Sequence, residues 1–170
     1  MIGQSSVVHR TFSLERVYDA SPSRVFDAFE DLPTKRRWMV EGEGWEVDEY
    51  AMDFRVGGVE GGRFHYRGGP DIRNDTVYQD IVRDRRIVFA YTMTVGDKRI
   101  SASLATVELI PVDQRTRLTY TEQGAFFDGA ETPQAREEGC RALLESLAQE
   151  LAKPGGPGSP PPGGESRRES

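Results

Sequence analysis

Cysteine and histidine are scarce in this chain, and their scarcity removes several chemistries. Among 170 residues there is one cysteine, Cys140, and there are two histidines, His9 and His65. A lone cysteine forms no internal disulfide. A zinc centre of the usual kind draws three or four ligands from His, Cys and carboxylates. No cluster in the sequence has that spacing, so neither a metal nor a cofactor is expected. Nucleophilic catalysis lacks its signature too. There is no G-x-S-x-G elbow, Ser101 and Ser103 have no activating neighbour in the sequence, and Cys140 reads as a small buried hydrophobe on a helix face. Excess positive charge is also missing: 28 acidic against 22 basic residues leave a net charge of −6. Such a chain is a poor electrostatic partner for nucleic acid or an anionic membrane. The basic runs Lys35-Arg36-Arg37 and Arg83, Arg85, Arg86 are short and surrounded by acids, and they read as solvated faces. No run approaches the roughly 18 apolar residues of a membrane span, and the opening MIGQSSVVHRTFSLER lacks the apolar core of a signal peptide. The expectation is a cytoplasmic protein, monomer or homodimer.

Glycine and proline are abundant but unevenly placed. From Pro154 to Ser170, ten of seventeen residues are Pro or Gly. Such a segment buries too little apolar surface to offset its ordering entropy. The chain therefore divides into a domain over 7–153 and a disordered tail over 154–170. A second glycine group, Gly57-Gly58-Val59-Glu60-Gly61-Gly62-Arg63-Phe64, nearly spells a phosphate-binding loop. That loop needs Lys and then Ser or Thr after its last glycine, and it must open a helix. Arg63 and Phe64 stand there instead, and Phe64-His65-Tyr66 reads as a strand. The glycines turn the backbone rather than grip a nucleotide.

The rest of the domain is read from its periodicity. His9–Tyr18 alternates as a first strand. Ser21-Pro22 carries a helix start, with Ser at the N-cap and Pro at the first helical position. Val25, Phe26, Phe29 and Leu32 share a face, and Pro33 opens a second short helix carrying Trp38. From Trp45 the period changes to two, with Tyr50, Met52, Phe54 and Val56 on one face. Further strands are expected over Arg63–Arg67, Val77–Val82, Ile87–Met93, Arg99–Ile110 and Arg115–Gln123. Thr132-Pro133 starts a final helix, on which Cys140, Leu143, Leu144, Leu147 and Leu151 recur at helical spacing. An antiparallel sheet with one apolar face needs a cover, and this helix supplies it. The predicted class is α+β, a helix-grip fold: a curved antiparallel sheet wrapped over a long C-terminal helix, with two short helices after the first strand.

With that arrangement the chain resembles the START-like superfamily, also called SRPBCC. Within it, the chain is similar to bacterial proteins related to the C-terminal domain of the activator of the heat-shock chaperone ATPase. The resemblance is carried by Ala20–Phe26, Trp38, Asp53–Gly58, Tyr78–Val82, Arg86–Tyr91, Ala105–Leu109 and Thr116–Gly124, in order and spanning about Thr11 to Leu151. It implies either a small ligand held between sheet and helix or contact with a chaperone.

Phe54, Phe64, Tyr66, Phe89, Tyr91, Met93 and Tyr120 belong to the alternating strand series, and most should face the C-terminal helix. Trp38 and Phe29 would close one end of the space. Gly139 lies one turn before Leu143 and contributes no side chain, which leaves room. Plain core packing would place the same residues inside. Glu122 continues the Leu118, Tyr120 alternation and so should point inward, where a carboxylate needs partners. Arg55, Arg63 or a tyrosine hydroxyl are the candidates. Three functions follow. The first is binding of a small apolar or aromatic ligand. The second is a chaperone-ATPase-activator-like interaction domain. The third is a polyketide-cyclase-like enzyme using Glu122 and a tyrosine, although no catalytic constellation is recognisable.

Overall fold

The computed structural model of the protein describes residues 5–154. The Pro/Gly-rich tail read from the sequence lies outside the described residues beyond Pro154. The elements follow as β1 (Val7–Tyr18), α1 (Pro22–Glu30), α2 (Leu32–Met39), β2 (Trp45–Met52), β3 (Val59–Tyr66), β4 (Ile72–Val82), β5 (Arg86–Val95), β6 (Lys98–Val112), β7 (Arg115–Phe127) and α3 (Pro133–Ala152). The strands form one antiparallel sheet in the order β1-β7-β6-β5-β4-β3-β2. β2 to β7 run as successive hairpins, and β1 returns beside β7. The α1–α2 pair carries the chain from one edge of the sheet to the other. This is the helix-grip arrangement that the order of elements predicts.

Local chemistry sets the helix starts. Ser21, Asp31 and Thr132 each accept a backbone N–H three residues on, from Arg24, Thr34 and Ala135, at 3.1–3.2 Å. Each cap satisfies an otherwise unpaired donor and contributes roughly 1 kcal/mol. α3 turns Arg136, Cys140, Leu144, Leu147 and Leu151 inward. Its leucines join Phe12, Leu14, Val25, Phe26, Val107 and Leu118 in the core. Leu147 is wholly excluded from solvent, a burial that stabilises by roughly 1.5–3 kcal/mol. α3 packs on β1, α1 and α2. The inner face of β3, β4 and β5 is left to line a space beneath it.

The structure departs from the sequence reading in several places. β2 ends at Met52, so Phe54 and Val56 lie in the connection to β3 and not on a strand. Phe54 still turns inward, between the rings of Phe26 and Tyr78, whereas Val56 is exposed. The chain turns there at Gly57, whose φ of +80° suits glycine. Gly57 N–H and Gly58 C=O then bond to Tyr78, and the segment runs into β3 with no helix after it. Gly61 and Gly62 sit inside β3 and not before it. Side chains there would meet Asn74 O at 2.6 Å and Glu49 O at 2.5 Å, so these glycines permit close strand approach. β4 begins at Ile72 rather than at Val77, because the polar Arg73-Asn74-Asp75 pairs in the ladder with β5, which overrides local preference. β7 likewise continues through Gly124 to Phe127 against β1.

Candidate functional site

Between the sheet, α2 and α3 lies a cavity of about 450 Å³, within the range of small-molecule sites. Its apolar wall includes Phe29, Trp38 and Met39 from the helices after β1, Phe64 from β3, and Phe89, Tyr91 and Met93 from β5. Tyr120 from β7 and Leu143 and Leu144 from α3 continue it, and Trp45 joins at one end. Gly139 is on this wall, and a Cβ placed there would meet nothing within 4 Å. The Trp38 indole is fixed by donating to Ala28 O at 2.9 Å and by edge-on packing against Phe29.

The sequence candidates therefore divide. Phe29, Trp38, Phe64, Phe89, Tyr91, Met93, Tyr120, Gly139 and Leu143 come together on one cavity wall. Tyr66 does not. It is 44% exposed, packing against Trp45 and under the Arg67 guanidinium at the end of β3. Strand alternation places it with Phe64, but β3 ends there and, among the described residues, no helix covers it. Phe54 is core packing in a loop rather than wall. Glu122 stands behind the wall, fully buried.

Glu122 is held by a dense network. Tyr91 Oη and Tyr120 Oη donate to its Oε1 at 2.7 and 2.6 Å, and Ser103 Oγ and Arg136 donate to Oε2 at 3.0 and 3.3 Å. Of the partners expected from sequence, the tyrosine hydroxyls are found, and Arg55 and Arg63 do not reach Glu122. Arg55 pairs with Asp53 on the surface, and Arg63 lies on β3 toward Asp48. The cation is Arg136, which also reaches Ser101 Oγ at 2.7 Å and Glu131. Burial, and then the neighbouring charges, push the Tyr91 and Tyr120 hydroxyls well above the usual tyrosine range. Burial also pushes the Cys140 thiol up to about 12. These groups are therefore neutral hydrogen-bonding groups at neutral pH, and Cys140 is no thiolate nucleophile.

A second buried network escaped the sequence reading. Glu60 on β3 accepts from Lys35 Nζ at 2.6 Å and from the hydroxyls of Tyr50 and Tyr78. Lys35, read as part of a solvated run, is in fact buried. Burial alone raises the Glu60 pKa, but the Lys35 charge and these hydrogen bonds outweigh it and hold the carboxyl below the usual range. The same rules that found Glu122 locate this group. Glu60 is four residues from Phe64 on an alternating strand, and Lys35 is three from Trp38 on a helix. Arg136 likewise lies four residues before Cys140.

On the sheet's outer face, His65 meets Glu46 at 2.9 Å, Asp48 at 3.3 Å and Asp71 at 3.8 Å. Asp48 is the extra residue of a bulge between Val47 and Glu49. Sequence spacing gives no hint of this group, because the bulge and the β3–β4 turn assemble it. The His65, Asp48 and Asp71 side chains bring nitrogen and carboxylate oxygens within 4.8 Å of one another in a surface cluster.

Sheet, long helix and intervening cavity define a helix-grip domain of the START-like class. The chain belongs to the family described as activator of Hsp90 ATPase homolog 1-like protein, whose profile matches residues 19–152. A Rhizobium loti protein, Mll3558, is 59% identical, with 85% of this chain and 99% of that chain covered and a TM-score of 0.80. An uncharacterised protein from Rhizobium leguminosarum is 36% identical, covering 88% and 98%, with a TM-score of 0.84. Protein CV1439 of Chromobacterium violaceum is 28% identical, covering 83% and 96%, with a TM-score of 0.69. No curated protein matches the chain. Among the described residues, no helix is long and apolar enough to cross a membrane.

Proposed function

We propose that this protein binds a small apolar or aromatic molecule in the cavity between sheet and α3. The observation that carries the reading is the cavity itself: about 450 Å³, walled mainly by aromatic and aliphatic side chains. Filling it with water would leave that apolar surface hydrated, and a ligand of matching shape removes the penalty. The state of Glu122 favours binding over catalysis. A general base must reach a substrate proton, and the oxygens of Glu122 are already occupied by four protein donors behind the wall.

Both tryptophans of the chain, Trp38 and Trp45, line the cavity, so occupancy has an intrinsic readout. Titration with N-phenylnaphthylamine is expected to quench tryptophan emission and enhance dye emission, with saturation at one dye per chain. Native mass spectrometry of the purified protein then looks for a co-purifying molecule displaced by the dye. Absence of any saturable binding overturns the reading.

A second reading, an interaction domain acting on a chaperone ATPase, follows from the family description. Exposed Val56, Val59 and Val77 near the β2–β3 connection favour it, since Val59 and Val77 are paired neighbours. Val59→Glu separates the two. It is expected to leave dye binding intact and to abolish any stimulation of a chaperone ATPase.

A further inference from the structure

We propose that the cavity selects an uncharged ligand carrying a hydrogen-bond acceptor for the side-chain amide of Asn74, and that it rejects a carboxylate or sulfonate on the same skeleton. The inference rests on the cavity-binding reading and adds the chemical class of the ligand.

The charged groups of the wall are Lys35, Glu60, Glu131 and Arg136, and each is committed to another protein group. Lys35 Nζ is bound to Glu60 at 2.6 Å, with Tyr78 Oη at 3.2 Å. Arg136 has five N–H donors, and the structure accounts for all of them. Nε goes to Glu131 at 3.1 Å, one terminal nitrogen to Tyr91 Oη and Glu122, and the other to Ser101 Oγ and Glu131. No donor of Arg136 remains for the oxygens of an anion. With Glu122 just behind the wall, two cations face three carboxylates, so the local balance is negative. An anionic ligand would enter with no counter-ion and against that balance, losing its hydration without compensation.

Asn74 on β4 differs. Its Oδ1 accepts from Thr76 Oγ1 at 3.0 Å, and among the described residues its Nδ2 has no hydrogen-bond partner. Asn74 is on the cavity wall, with Thr76 and Met93 beside it. It is a neutral donor left open on a mainly apolar wall, and a carbonyl or ether oxygen is the group that would use it. A few placed polar groups on an apolar wall fix ligand orientation in such sites.

The test pairs N-phenylnaphthylamine with anilinonaphthalene sulfonate, one skeleton without and with a fixed negative charge. The neutral dye is expected to bind at least about tenfold more tightly. Glu131→Gln, which frees donors on Arg136 and removes a negative charge, is expected to narrow that ratio. The second arm competes benzophenone against diphenylmethane for the neutral dye. The ketone is expected to be favoured by about fivefold, the worth of one neutral hydrogen bond, and Asn74→Leu is expected to erase the preference. Equal or tighter binding of the sulfonate overturns the charge selection, whether or not Glu131→Gln folds. A ratio that Glu131→Gln leaves unmoved, in a folded variant, overturns the role given to Arg136. A ketone preference that is absent, or that survives Asn74→Leu, overturns the assignment of Asn74. If neither dye binds, it is the cavity-binding reading that fails.

Discussion

Lys35 Nζ lies 2.6 Å from Glu60 Oε1, with the two side chains only 5% and 3% exposed. A buried ion pair of this kind is a weak source of net stability, but breaking it on one side leaves an uncompensated charge in the interior. Glu60→Gln is therefore expected to destabilise by roughly 3–5 kcal/mol. The double variant Lys35→Met with Glu60→Gln removes both charges, while the glutamine accepts from one of the Tyr50 and Tyr78 hydroxyls through its carbonyl oxygen and donates to the other through its amide nitrogen. It is expected to be more stable than Glu60→Gln alone, a difference that urea denaturation of the parent and the two variants measures. A double variant no better than the single one would mean that Lys35 is not held as a cation.

The same pair gives the domain an acid-sensitive component. The folded-state pKa of Glu60 is depressed: burial raises it, but Lys35 and the tyrosine hydroxyls prevail. Folded protein therefore binds this proton less readily than unfolded protein. The stabilisation is fully present above the ordinary glutamate value of about 4.3 and is lost as pH falls through the lower folded value. Melting temperature followed from pH ~6 to pH ~3 is expected to fall more steeply for the parent than for the Lys35→Met, Glu60→Gln double variant. Parallel curves would remove Glu60 from the acid response.

His65 responds in the opposite direction. Its environment lowers its pKa through partial desolvation, but the hydrogen bonds and charges of Asp48 and Glu46 outweigh this and raise it. A raised histidine pKa stabilises the fold below the unfolded value and loses that effect as pH rises through the folded one. The imidazole titration, read by NMR, is expected to have its midpoint above the usual ~6.5 and to move down in Asp48→Asn. A midpoint unchanged by that substitution would mean that the bulge does not hold Asp48 against the ring.

Much of this architecture is legible in the sequence because it is written locally. Ser21-Pro22 and Thr132-Pro133 mark helix starts through side-chain caps, and Phe89, Tyr91 and Met93 alternate because one face of β5 is covered. What was not legible depends on pairing between distant segments. Gly61-Gly62 reads as a corner, yet it is strand, because neighbouring strands approach too closely for side chains there. Tyr66 alternates with the wall residues but lies where α3 no longer covers the sheet. Lys35 and Arg136 look like surface charges until β3 and β7 bring Glu60 and Glu122 to them. Their helical spacing from Trp38 and Cys140 marks the face they share, but the partner that lets such a charge stay inside, twenty-five residues away for Lys35, appears only in the fold.

Gly139 tests the cavity most directly. It sits within α3, where glycine is unfavourable by roughly 1 kcal/mol relative to alanine, and it lies on the wall with open space beside it. Gly139 is itself exposed, at the rim of the cavity, so a leucine there gains helix propensity without meeting a close neighbour at its Cβ, and its longer side chain is expected to narrow the mouth. In a close-packed site the same change would overpack and destabilise by roughly 1–3 kcal/mol. Gly139→Leu is therefore expected to melt within a few degrees of the parent, which a destabilisation well under about 1 kcal/mol allows for a domain of this size. Binding of N-phenylnaphthylamine is expected to fall at least about tenfold, because a leucine at the rim narrows the way into the cavity. Gly139→Ala, smaller, is expected to raise the melting temperature slightly and to keep most of the binding. The two variants thus separate propensity from volume. Dye affinity that survives Gly139→Leu would mean that the bound molecule does not use the rim at Gly139, and a large loss of stability would mean that α3 already rests on the sheet at this point.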